Sequence, residues 1–182
     1  MKKGIILAAC LVLVAGLAYA EEPLKSGPQV NETVPGPFHP LNVTGEKAGE
    51  KACLYCKNGA NPVAMIFARE CSPELTALIK KIDACTAKHS DAKMGSFVVF
   101  LSDDNSLEAK LKEVAKKEKI ETCVLSIDNP AGPQKYNVSK DADVTVVLYT
   151  NGKVKANYAF AKGKLTEKDT ETVLADVSKI LP

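Results

Sequence analysis

Histidine is nearly missing from this chain, which has only His39 and His89. A structural zinc site takes four thiolate or imidazole ligands. One Cys-x-x-Cys pair, with no second pair and no paired histidines, falls short of that set. A metal would need His39 brought to the pair in space, and a lone histidine in a Pro-rich stretch is ordinarily surface. Also lacking are a Gly-rich phosphate loop, a nucleophile-elbow serine and the zinc-protease helix motif. No excess of one charge exists either. The 24 basic residues include Lys2 and Lys3, and without them basic and acidic residues balance at 22 each. That balance gives no electrostatic footprint for nucleic acid or a membrane surface. Lys112, Lys116, Lys117 and Lys119 are spaced as the solvated face of a helix. No apolar run reaches the ~20 residues of a membrane-spanning helix.

The longest apolar run, Ile5 to Ala18, has the proportions of a signal h-region. Lys2 and Lys3 precede it, and Ala18-Tyr19-Ala20 follows as a small-x-small cleavage site. Residues 1–20 are therefore expected to be a signal peptide, with Glu21 as the mature start and a periplasmic or secreted destination in a bacterial cell envelope. Leu7-Ala8-Ala9-Cys10 offers a competing lipobox, which would anchor the chain at Cys10. Too few residues separate Lys3 from Ala8 for a full h-region there. Residues 21–36, polar with scattered Pro and Gly, are expected to be a flexible linker before one domain over 37–182.

Export would place Cys53, Cys56, Cys71, Cys85 and Cys123 in an oxidising compartment. Their number is odd, so at least one lacks an internal partner. Cys53-Leu54-Tyr55-Cys56 lies between Lys51 and Lys57, whose charges favour thiolates. The pair could form a reversible redox disulfide, a structural clip, or half of a metal site. Haem attachment is excluded, because Lys57 stands where a histidine is required. Cys71 precedes Ser72-Pro73-Glu74, a helix start whose free N–H groups and dipole favour a thiolate, with Arg69 nearby. Cys71 is therefore a candidate nucleophile, and a small residue at a strand-to-helix turn is the plainer alternative. Cys85 and Cys123 fall at packing positions, where a free cysteine behaves as a small hydrophobe.

From Pro62 onward the pattern is regular. Val63 to Ala68 is a continuous apolar run, as in a strand covered on both faces. Leu75, Leu78, Ile79 and Ile82 mark one face of the helix that follows. Strands are predicted over 96–101 and 123–127, with a helix over 106–119 between them. Asp103-Asp104 follows a strand end, where α/β sheets often hold functional groups, but an ordinary helix-leading loop explains it. Residues 128–143 are expected to form a long loop or a short irregular helix. Strands over 145–149 and 153–160 flank Asn151-Gly152, a hairpin signal. A helix over 166–181 ends the chain. Residues 38–62 are expected to be loop or a short hairpin. Alternating elements imply right-handed crossovers and a mixed central sheet with helices on both faces.

This order resembles the redoxin branch of the thioredoxin fold: a three-layer α/β/α domain with a mixed sheet, a C-terminal hairpin and a closing helix. Ser126-Ile127-Asp128-Asn129-Pro130, Lys135-Tyr136-Asn137-Val138, Val144 to Tyr149 and Asn151-Gly152-Lys153-Val154 run in thioredoxin-like order. The strand–helix unit from Phe97 to Ile120 is similar to peroxiredoxins and envelope thioredoxin-like proteins. Val34-Pro35-Gly36-Pro37-Phe38 resembles the opening of redoxins. The resemblance covers residues 34–182 and implies thiol–disulfide chemistry without a cofactor, with protein thiols and disulfides of the envelope as partners.

Two departures stand out. The family's Cys-x-x-Cys follows the first core strand, where this chain has only Cys71, and the Cys53/Cys56 pair lies upstream. The family's cis-proline precedes the threonine of a late strand, where this chain has Val144. Peroxiredoxins also carry Thr-x-x-Cys at the junction occupied here by Ala68 to Cys71. The leading expectation is thiol–disulfide exchange through Cys53 and Cys56. The alternative is a non-catalytic module stabilised by a Cys53–Cys56 bridge, and a third is peroxidase-like chemistry at Cys71.

Overall fold

The computed structural model describes residues 23–182. The expected signal peptide and the competing lipobox at Cys10 lie outside the described residues. The elements are β1 (Leu41–Asn42), α1 (Leu54–Asn58), β2 (Val63–Ala68), α2 (Pro73–Lys88), β3 (Gly95–Leu101), α3 (Leu107–Glu118), β4 (Val124–Asp128), β5 (Val144–Thr150), β6 (Lys153–Phe160) and α4 (Glu167–Asp176). They form one six-stranded sheet in the order β1-β4-β3-β2-β5-β6. β2, β3 and β4 are parallel, while β5, β6 and β1 run antiparallel to their neighbours. The expected mixed sheet with its C-terminal hairpin and helix is present.

Local chemistry sets the boundaries. Every residue of β2 is buried, as its unbroken apolar run requires. Ser72 caps α2 by accepting the Leu75 N–H at 3.2 Å, and Pro73 opens the first turn. Asn151 and Gly152 both adopt positive φ (52° and 67°), the type I′ geometry that joins β5 to β6. α4 opens with a capping box between Thr166 and Asp169 and gives way at Val177–Lys179 to a 3-10 turn.

The two layers around the sheet are unequal. α2, α3 and α4 share one apolar cluster, built on Ala64, Ile66, Val98, Phe100 and Val146 of the strands. The opposite face carries Met65, Phe67, Phe97, Val147 and Tyr149. It is covered by the short α1 through Leu54 and by irregular chain through Val34, Phe38 and Tyr136. Phe38, Phe67 and Tyr136 meet there edge-on or tilted, with centroids 5.0–6.1 Å apart.

Residues 23–36 are not a free linker. Ser26 is only 1 % exposed. Its hydroxyl pairs with Thr145 Oγ1 at 2.6 Å and accepts the Ser139 N–H at 2.9 Å. Asn157 Nδ2 donates to the Ser26 and Pro28 carbonyls. Thr33 bridges to Lys153, and the Val34 N–H donates to Gly152. The segment is polar because it docks through hydrogen bonds, and composition alone reads that as a linker.

Candidate functional site

Residues 40–52 loop out and return: Leu41 bridges to Lys51, and Asn42 N–H donates to the Glu50 carbonyl at 2.9 Å. This short hairpin leads to Cys53, which caps α1 in an extended conformation. Cys53 and Cys56 are joined by a disulfide, with Cα atoms 5.2 Å apart. Cys53 Sγ accepts the Cys56 backbone N–H at 3.0 Å. Cys56 is exposed and Cys53 half-buried. A thiolate left on Cys53 would therefore meet a donor, and Cys56 is the more exposed residue of the two.

Both ends of α1 are held. Leu54 is buried on the sheet, and the rings of Tyr55 and Tyr149 lie 6.2 Å apart. Asn58 Nδ2 donates to the Leu54 carbonyl at 2.8 Å, and the Asn58 side chain rests against Gly95. The Asn151 N–H donates to the Ala60 carbonyl. The disulfide thus sits at the end of the sheet where β2 and β3 begin. Beside it is a cleft of about 430 Å³, lined among others by Asn42, Thr44, Ala52, Leu54 and Val124, with Glu46 and Lys57 3.5 Å apart at its edge. That ion pair engages the Lys57 charge that the sequence assigned to the thiols.

Cys71 lies beyond the other end of β2. Six strand residues separate the two ends, about 16 Å of strand. A disulfide needs Cα atoms within roughly 7 Å, so Cys71 and the pair do not share a site in this fold. Cys71 is half-buried, and its sulfur lies 3.6 Å from Thr76 Oγ1. Val144 pairs with Ala68, so the residue in the family's proline position does flank the β2–α2 junction. No cis peptide occurs among the described residues.

Arg69 does something other than the expected assistance to Cys71. Its guanidinium donates to the carbonyls of Ala142 (3.1 Å), Pro130 (3.0 Å) and Ser139 (3.0 Å). It is spent on tying down the 129–143 loop. Burial pushes the Cys85 thiol up, with Lys88 acting against it. Burial pushes the Cys123 thiol up to about 12. Both are protonated packing residues. Asp104 is held down to about 2, first by hydrogen bonds from Ser106 and then by Lys110, as in an ordinary helix-leading loop. Among the described residues, no three His, Cys, Asp or Glu side chains are grouped to hold a metal ion. His39 is exposed.

Two residues that sequence reasoning passed over shape these regions. Asp83 is buried and accepts the N–H groups of Glu121, Thr122 and Cys123 at 2.7–3.1 Å. Asn42 is 1 % exposed, and its Oδ1 has no hydrogen-bond partner. A buried Oδ1 without a partner near the disulfide has no sequence signal, because Asn42 stands in an otherwise plain Leu-Asn-Val stretch.

No family profile matches the chain, and no curated protein matches it in sequence. Solved structures do. A candidate protein disulfide isomerase from Bacteroides thetaiotaomicron superposes with a TM-score of 0.65 at 16 % identity, covering 87 % of this chain and 94 % of that one. The reduced 2-Cys peroxiredoxin of Plasmodium vivax gives 0.60 at 18 % identity, with 82 % and 80 % covered. A candidate thiol:disulfide interchange protein DsbE from Chlorobium tepidum gives 0.56 at 17 % identity, with 85 % and 99 % covered. At such identities the likeness is one of architecture: the chain has the thioredoxin-like fold in the form that redoxins share.

Proposed function

We propose that this is an exported thiol–disulfide oxidoreductase of the bacterial cell envelope, acting through Cys53 and Cys56 on the thiols and disulfides of partner proteins. The observation that carries the reading is the pair itself: a formed disulfide with Cys56 exposed and Cys53 Sγ held by the Cys56 N–H. A partner thiolate attacks Cys56 Sγ, forming a mixed disulfide. The Cys53–Cys56 bond breaks, and its electron pair leaves on Cys53 Sγ, where the amide donor stabilises the thiolate until it takes a proton. A second partner thiolate then displaces Cys56, giving the reduced pair and an oxidised partner. The reverse sequence reduces a partner disulfide. Export rests on the signal-like residues 1–20. No helix among the described residues is long and apolar enough to cross a membrane.

The midpoint potential of the pair tests this. A value near about −200 mV suits exchange, and one below about −300 mV suits a permanent bridge. Insulin reduction by wild type and Cys53→Ser adds an activity readout: exchange predicts that the variant loses turnover. Equal inactivity of both, with lost stability in the variant, would sink the proposal.

One observation favours the structural-clip alternative. The pair lies at the opposite end of β2 from the helix start, and it closes a helix of only five residues. Cys71 is the remaining candidate for peroxidase-like chemistry. Unchanged peroxide consumption in Cys71→Ser would remove it.

A further inference from the structure

We propose that α1 is a redox-released latch. The Cys53–Cys56 disulfide holds residues 53–62 down on the sheet, and its reduction frees them to lift away from Tyr149. The oxidised and the reduced protein then present different surfaces to a partner. The proposal goes beyond the thiol–disulfide reading above and rests on it for the reduction. In that step a dithiol supplies two electrons and two protons. The Cys53–Cys56 bond breaks, both sulfurs end as thiols, and the dithiol closes to its own disulfide.

Three observations carry it. The first is how little α1 has of its own. Its five residues fall far below the length at which a helix stands alone, and Leu54 is its one buried residue. The second is how the segment is tied after the helix. Asn151 N–H donates to the Ala60 carbonyl at 2.9 Å, and Gly95 N–H donates to the Pro62 carbonyl at 2.9 Å. Gly59 stands between helix and ties with φ 54° and ψ −125°, a conformation that glycine alone adopts readily, so the chain has a swivel there. The third is what the closed segment covers. The Tyr149 hydroxyl is buried without a partner, in the layer that Leu54 closes, with the Tyr149 ring 6.2 Å from that of Tyr55. A buried hydroxyl without a partner costs stability, and lifting α1 lets water reach it. The closed latch is therefore opposed by an unmet hydrogen bond. The covalent ring from Cys53 to Cys56 offsets that by limiting the conformations open to the lifted segment.

The test is amide hydrogen exchange of the full chain, read by mass spectrometry. Three samples are compared: oxidised wild type, wild type reduced with dithiothreitol, and reduced Tyr149→Phe. The expected result is that amides of residues 53–62 exchange about 20-fold faster after reduction, the loop-entropy worth of so small a ring, while those of β3 keep their rate. In reduced Tyr149→Phe the same amides should slow again by about five-fold, because closing no longer buries an unpaired hydroxyl. Equal rates in both redox states overturn the latch and leave the thiol–disulfide reading standing. Faster rates across β3 as well overturn it too, because the bridge then braces the whole fold. Acceleration at 53–62 that Tyr149→Phe does not slow overturns the opposing role of the hydroxyl. A bridge that dithiothreitol does not open overturns the thiol–disulfide reading and the latch with it.

Discussion

The Asn58 side chain fills the space that a side chain at Gly95 would need: a Cβ added at position 95 would fall 1.9 Å from Asn58 Oδ1 and 2.7 Å from its Cγ. The contact joins the first residue of β3 to the last residue of α1, and so ties the disulfide-bearing helix to the sheet. Gly95→Ala must push the Asn58 side chain away and break its bond to the Leu54 carbonyl. The expected cost is about 1–2 kcal/mol in urea unfolding, from overpacking and one lost hydrogen bond. In an Asn58→Ala background the obstacle is gone, and Gly95→Ala should then cost markedly less. An equal cost in both backgrounds would show that this contact is not what excludes a side chain at 95.

The asymmetry between the two sulfurs gives a second expectation. Cys53→Ser leaves the exposed Cys56, and Cys56→Ser leaves the half-buried Cys53. Reaction with a small disulfide reagent at pH 8 should be faster for Cys53→Ser by roughly an order of magnitude, because access limits attack as well as thiolate fraction. Mass spectrometry of the mixed disulfide reads this directly. The reverse order of rates would assign the attacked sulfur to Cys53.

Arg69 illustrates where sequence reading stops. Its neighbours in sequence suggested a role at Cys71, but its three acceptors lie 61 to 73 residues away. Arg69→Lys keeps the charge and loses the planar fork that reaches three carbonyls at once. We expect it to cost about 1–3 kcal/mol and to raise hydrogen exchange across residues 129–143. Unchanged exchange in that loop would mean the guanidinium does not hold it.

The same distinction runs through the whole chain. The β2 run, the Ser72-Pro73 helix start and the Asn151-Gly152 turn were legible because their causes are local: burial on both faces, a cap within three residues, two left-handed positions in succession. The fold followed from their order. α1 was missed because five residues do not form a helix on their own. Cys53 as cap, the disulfide, and the Leu54 and Gly95 contacts make it one. Residues 23–36 were misread because Ser26 and Val34 dock on β5 and β6, whose partners lie more than a hundred positions away. The Cys-x-x-Cys motif was visible at once. The cleft beside it was not, since Asn42, Ala52 and Val124 meet only in the folded sheet.

Tyr149 offers the last prediction, and it links stability to pH. Its side chain is fully buried, its hydroxyl has no partner, and burial pushes its ionisation well above the ordinary tyrosine range. Tyr136 and Tyr158 are shifted the same way, first by burial, with the Tyr158–Asp176 hydrogen bond adding to the effect at Tyr158. A folded-state pKa raised above the unfolded value of about 10 means that the native protein holds protons that the unfolded chain releases. The stability tied to these groups is therefore fully present below about pH 10 and is lost as pH rises further. Tyr149→Phe removes a buried unpaired hydroxyl while keeping the ring against Tyr55. It should raise stability at pH 7 by about 1 kcal/mol and make the decline between pH 10 and 11 shallower than in wild type. Urea unfolding at pH 7, 10 and 11 measures both effects. A loss of stability at pH 7 would mean that the hydroxyl has a partner in solution, and an unchanged alkaline slope would mean that Tyr149 ionises without unfolding the protein.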